Sequence, residues 1–329
     1  MWRCFLISFL FNISLFSEAL LPPALQKGDL IAIVFPASFL KQEEADSLFS
    51  KAQWLQLQGY RTLFYPSKIH RLGYLAGTDS ERAAALMDAW KSEEVKAIWC
   101  FRGGYGSQRI LEYLDYDYIQ AHPKIFIGMS DITALHQAIT QRTQLITFLG
   151  PVLSYFGPDK QEENRESFCS CEELLMQGKL TTSHTNSLET ITPGKAQGAL
   201  IGGNLSIIAG LCGTQWQLRT EGKVLILEDV NEGIYCIDRK LWQLKAAGLL
   251  DKPAAVILGE FVNCKPLTEY SLTLDQVFEN YFKEAPYPVI KGFPSGHTDY
   301  QVTLPLNARI EVDATLKKVS LLQEVVHLF

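Results

Sequence analysis

The chain has 329 residues, 47% of them hydrophobic, and a formal net charge of −6, enough material for two globular cores of roughly 150 residues each. Its acidic balance, with no basic run longer than Arg239-Lys240 or Lys317-Lys318, leaves no electrostatic footprint for nucleic acid and points to a small molecule or peptide as partner. Seven cysteines are scattered without a disulfide framework, and no His or Cys pair stands at zinc-binding spacing from Cys169 and Cys171, so a structural metal is not expected.

At the start of the chain, Arg3 precedes an apolar run from Cys4 to Phe16, followed by Ser17-Glu18-Ala19. This is the outline of a signal peptide over residues 1–19, cut after Ala19 and too short to span a bilayer. A plain hydrophobic extension is the alternative. No later segment reaches transmembrane length, so no stable membrane insertion is expected once a signal is removed.

An Ile/Val-rich strand from Leu30 to Phe35 ends at Pro36-Ala37-Ser38, and helical spacing of apolar residues follows over Glu43–Gln58 until Gly59 stops it. Next come a strand at Arg61–Tyr65, a helix at Ser80–Trp90 and a strand at Val95–Phe101. A short helix at Ile110–Leu114, a strand at Lys124–Ile127 and a helix at Ile132–Ile139 continue the alternation. Near-continuous apolar strands alternating with helices predict an α/β fold with a Rossmann-like parallel sheet over residues 20–155. Residues 156–195, poor in structural signals and closed by Pro193-Gly194, read as a linker.

Residues 196–329 read as a mixed α/β domain with several short strands. Ala199–Ile201 leads into the turn Gly202-Gly203-Asn204 and a helix at Leu205–Leu211, then a strand at Lys223–Leu227 and a helix at Ile237–Ala247. A strand at Ala254–Phe261, a helix at Leu272–Phe282 and short strands around Val289, Val302, Ile310 and Val319 complete it.

Three places carry chemistry. In Gly128-Met129-Ser130-Asp131 a serine stands between an apolar strand and a helix, where a tight turn would project its hydroxyl and aim the Asp131 amide at a developing oxyanion. The usual second glycine two residues on is Ile132 here, and Ser130 or Asp131 as an ordinary helix N-cap is the competing reading. The loop Arg102-Gly103-Gly104-Tyr105-Gly106 also follows a strand, and its amides could approach an oxyanion or a phosphate, although it lacks the Gly-Lys-Ser/Thr ending of a nucleotide loop. His297 sits in the glycine- and proline-framed loop Gly292 to His297, whereas His70, His122, His136, His184 and His327 read as loop, helix-surface or tail residues. For an acid, Glu228 and Asp229 end an apolar strand, with Glu232 one turn on. Such carboxylates can orient a histidine or cap a helix.

Taken in order, Gly28 to Val34 with Pro36-Ala37-Ser38, Phe101 to Gly106, Gly128 to Thr133, Gly202 to Leu205, Leu227 to Glu232 and Gly296-His297 resemble the LD-carboxypeptidases, or muramoyltetrapeptide carboxypeptidases, a family that includes the microcin-C-immunity peptidases. The resemblance runs from about Leu21 to Leu322. It implies a serine peptidase with the triad Ser130, Glu228 and His297, an oxyanion hole of the amides of Asp131 and of Gly103 or Gly104, and no metal or organic cofactor. The family turn commonly has Tyr where this chain has Met129. The implied substrate is a murein tetrapeptide that loses terminal D-alanine, with Arg102 as candidate partner of the terminal carboxylate and Tyr105 beside it. Arg102 paired with a surface acid is the alternative. A homodimer is compatible with the family. Its usual compartment is the cytoplasm, whereas the N-terminal segment favours export. Cleavage of a peptidyl-nucleotide amide, or binding without catalysis, are the other functions open to such a chain.

Overall fold

The computed structural model describes residues 19–158, 162–181 and 188–328; the signal-peptide reading of residues 1–19 falls almost wholly outside them. The first half runs β1 (Leu30–Val34), α1 (Gln42–Leu57), β2 (Arg61–Tyr65), α2 (Asp79–Lys91), β3 (Val95–Cys100), α3 (Tyr116–Ala121), β4 (Ile125–Gly128), α4 (Thr133–Thr143) and β5 (Thr147–Leu149). The second runs α5 (Glu162–Gln177), β6 (Glu189–Thr192), β7 (Lys195–Asn204), α6 (Leu205–Leu211), β8 (Val224–Val230), α7 (Ile234–Ala246), β9 (Ala255–Val262), α8 (Leu274–Phe282), β10 (Val289–Lys291), β11 (Leu304–Leu306), β12 (Arg309–Asp313) and β13 (Lys318–Leu321).

Two sheets result. The first has the order β11-β5-β4-β3-β1-β2, parallel throughout except for β11. The second has the order β13-β12-β7-β8-β9-β10-β6, with a parallel centre β7-β8-β9-β10 and antiparallel flanks. The chain is therefore α/β, with a parallel sheet and a mixed sheet. Strands β1, β3 and β4 are buried along nearly their whole length, as a sheet covered on both faces requires.

One apolar core joins the two sheets: Val34, Ile98, Phe126 and Leu135 of the first half pack in the same cluster as Leu200, Ile226, Ile257 and Ile310 of the second. The far face of the first sheet packs on α1 and α5, and the far face of the second on α6, α7 and α8.

Three sequence expectations need correction. The stretch read as a linker holds α5, whose Phe168, Cys171, Leu174 and Leu175 are buried against Trp54, Trp99 and Phe148. Those four residues share one helical face, a periodicity masked by the acidic residues around them. The strand expected around Val302 lies two residues later as β11, which crosses to the first sheet and pairs with β5. Pro305 is tolerated there because β11 is an edge strand. The short helix expected at Ile110–Leu114 is a 3₁₀ segment, Ser107–Tyr113.

Candidate active site

Ser130 stands at the carboxyl end of β4 with φ 63°, a left-handed conformation that costs a non-glycine residue of order 1 kcal/mol or more. The surroundings hold it there. Gly103 lies against it so closely that a Cβ on Gly103 would meet the Ser130 Cβ at 2.9 Å and its Oγ at 3.2 Å, so only glycine fits. Gly128 is required for a different reason: a Cβ there would meet Ile132 Cγ2 at 2.9 Å and Cys100 Cβ at 3.1 Å. Ile132 thus occupies the usual place of a second glycine by packing over Gly128.

His136 is fully buried on α4, not on the helix surface as its sequence context suggested. Its Nε2–H donates to the Gly128 carbonyl and its Nδ1 accepts from the Thr147 hydroxyl, both at 2.8 Å. Burial pushes its pKa down to about 4, so it stays neutral and braces the strand below the serine. The N-cap reading of this segment does not hold, since α4 begins with no side-chain cap and the Asp131 carboxylate instead accepts the Ser107 amide at 2.8 Å.

Glu228 and His297 arrive from the second half. Glu228, 1% exposed at the end of β8, bonds through Oε2 to His297 Nδ1 at 2.8 Å. Gly296 makes this approach feasible: it has φ 148°, and a Cβ there would meet the Glu260 carbonyl at 3.0 Å and Glu228 Oε2 at 3.3 Å. Burial holds the Glu260 carboxyl above the ordinary range. The Tyr155 hydroxyl is pushed up to about 12 by burial and then by Glu228 and Asp299, so it remains a neutral donor.

Asp229 and Glu232, the other candidate acids, point elsewhere. Asp229 accepts from the Ser206 hydroxyl at 2.7 Å and amide at 3.1 Å, and Lys240 lies 2.8 Å from Glu232 and 3.6 Å from Asp229. Asn204 joins the two groups of carboxylates. Its side-chain amide donates to Glu228 at 3.2 Å and to Asp229 at 3.1 Å, while its Oδ1 caps α6 through the Ile207 amide. The Asn204 main-chain amide donates to Thr133 Oγ1 at 3.0 Å, tying the acid to the helix behind the serine. In the sequence Asn204 stands only as part of a turn, and an amide side chain between a glycine pair and a helix is the available signal.

The two halves meet at a small cavity lined by Met129, Leu149, Gly150, Glu228, Ser295, Gly296 and Gln301. Met129 precedes the serine and Gly296 precedes the histidine. Arg102 is engaged by Glu44 and by the Phe39 carbonyl, the ion pair that was its alternative role. Tyr105 is 40% exposed and packs edge-on against Tyr74 with centroids 5.6 Å apart. Its amide donates to Ser38 Oγ at 2.9 Å, and Gly104, at φ 107°, leaves no room for a Cβ beside that hydroxyl.

A parallel sheet ending in a strained serine, joined through one core to a second sheet that carries a glutamate–histidine pair, defines a two-domain α/β scaffold. Residues 31–150 match the LD-carboxypeptidase N-terminal domain and residues 197–312 the LD-carboxypeptidase C-terminal domain; the chain belongs to the LD-carboxypeptidase family. It is 40% identical over 301 residues, 90% of this chain and 92% of the other, to the probable murein peptide carboxypeptidase of Bacillus subtilis. Among solved structures it resembles MccF in complex with glutamyl sulfamoyl guanosine, with a TM-score of 0.84, 26% identity and coverage of 93% of this chain and 99% of that one. It also resembles the muramoyltetrapeptide carboxypeptidase from Oxalobacter formigenes, with a TM-score of 0.74, 27% identity and coverage of 89% and 97%. Family membership and these relatives make the protein a peptidase of the carboxypeptidase type.

Proposed function

We propose that this carboxypeptidase hydrolyses the L–D peptide bond of murein tetrapeptides and releases terminal D-alanine, using Ser130, His297 and Glu228 as a triad. The carrying observation is a serine held at φ 63° and a His297–Glu228 contact of 2.8 Å, with Glu228 and the chain neighbours Met129 of the serine and Gly296 of the histidine lining one cavity. Because Nδ1 of His297 faces Glu228, Nε2 is the nitrogen left to take the Ser130 proton as Oγ attacks the scissile carbonyl. The tetrahedral oxyanion lies against the amides of Asp131 and of Gly103 or Gly104, which no hydrogen bond among the described residues uses. Each such donor contributes about 3 kcal/mol to the transition state. The imidazolium then protonates the leaving D-alanine amine, and water hydrolyses the acyl-enzyme by the same base.

The murein substrate is favoured by the 40% identity to the murein peptide relative. A second reading, cleavage of an aminoacyl-sulfamoyl nucleoside, is favoured by the higher TM-score to MccF and by the exposed Tyr74–Tyr105 pair, which offers a face for a base. Initial rates separate the two. The expected result is a kcat/KM for D-alanine release from a muramoyl tetrapeptide at least about tenfold above that for glutamyl sulfamoyl guanosine; the reverse order would transfer the chain to the second reading.

A further inference from the structure

The side chain of Asp131 has no part in the triad, yet it is 1% exposed and sits beside the nucleophile. Its Oδ2 accepts the Ser107 amide at 2.8 Å, and the Ser107 hydroxyl donates back to the Asp131 carbonyl. Ser107, itself fully buried, follows directly on the glycine loop, so this two-point latch ties the loop to the residue after the serine. The same peptide unit is gripped at its carbonyl by Arg82, 2% exposed, which donates to the Gly106 oxygen at 2.8 Å and to the Pro36 carbonyl. With this carboxyl end of the loop held, and the Gly103 carbonyl accepting the Ser38 amide at 3.4 Å, Gly103 is seated on Ser130 at the separation described above.

We propose that the Asp131 carboxylate is a positioning residue of the reaction: by latching Ser107 it holds the amides of Gly103 and Gly104 over Ser130 and so sets the oxyanion hole. This role rests on the serine-peptidase reading. The carboxylate is kept at a cost to the fold. One of its oxygens, Oδ1, closes no hydrogen bond, and burial raises its pKa against the opposing pull of the Ser107 and Gly106 amides and of Arg82. A raised folded-state pKa means that the fold favours the neutral form, so this group adds stability only at low pH and withdraws it as pH rises through the folded pKa. A neutral isostere should therefore leave the fold at least as stable near pH ~7.5 while loosening the latch.

The experiment compares Asp131→Asn, Ser107→Ala and wild type by kcat and KM for D-alanine release, by the second-order rate of labelling with a fluorophosphonate, and by Tm. For Asp131→Asn, kcat and the labelling rate are expected to fall about 100-fold, as for a displaced oxyanion donor, with KM within about threefold and Tm unchanged or higher. Ser107→Ala keeps the amide half of the latch, so its expected fall is about tenfold in the same two rates. Wild-type kcat in Asp131→Asn, a rise confined to KM, or a loss of rate matched by a fall in Tm in both variants would overturn the positioning role. Wild-type protein that is labelled but releases no D-alanine would refute the murein substrate alone, leaving the role judged on labelling rates; wild-type protein that is not labelled would refute both.

Discussion

Ser130→Ala is expected to abolish D-alanine release, lowering kcat by on the order of 10⁴-fold or more, with the residue of activity coming from substrate binding and the oxyanion amides. The fold should persist, because among the described residues no hydrogen bond of the serine hydroxyl ties it to β4 or α4. The position also carries a second signature. At φ 63° alanine is strained as serine is, whereas glycine adopts that conformation freely, so Ser130→Gly should be more stable than Ser130→Ala by about 1 kcal/mol. Urea denaturation of the two variants measures the difference. Equal stabilities would mean that the turn is not held in the left-handed region, and retained turnover in either variant would remove Ser130 from the chemistry.

Glu228→Gln is the second large effect, with an expected loss in kcat of about 10³- to 10⁴-fold. The carboxylate accepts from Asn204 through one oxygen and faces His297 Nδ1 through the other. A glutamine that keeps the Asn204 bond must turn its own NH₂ toward Nδ1, which forces the proton onto Nε2 and leaves no base facing the serine. Asp229→Asn should cost far less activity, since that carboxylate is spent on Ser206 and Asn204 and is neighboured by Lys240. Steady-state kinetics on the two variants reports the order, and a larger loss in Asp229→Asn would reassign the acid.

Much of this architecture is legible in the residues themselves. Apolar runs such as Ile31 to Phe35 and Val224 to Leu227 are long enough, and sufficiently bounded by Gly and Pro, to announce buried parallel strands. The serine turn and the histidine loop stand out because glycine precedes each. What escapes sequence reading depends on contacts between distant segments. Nothing local to Leu304-Pro305-Leu306 says that it pairs with Thr147–Leu149 in the other half, and α5 hides its apolar face among acidic residues. His136 looks like a surface residue until Gly128 and Thr147 are seen to close over it. Likewise, the donors of Asn204 and the acceptor of Asp131 gain meaning only when Glu228 and Ser107 are brought to them.

The role of Ser130 as an activated nucleophile acting on a D-alanine-terminated peptide is tested most directly by peptide mapping by mass spectrometry after reaction with a fluorophosphonate. The predicted result is a single adduct on the peptide that contains Ser130, absent from Ser130→Ala and slowed when a muramoyl tetrapeptide competes. An adduct on another residue, or an unlabelled protein that still releases D-alanine, would contradict it.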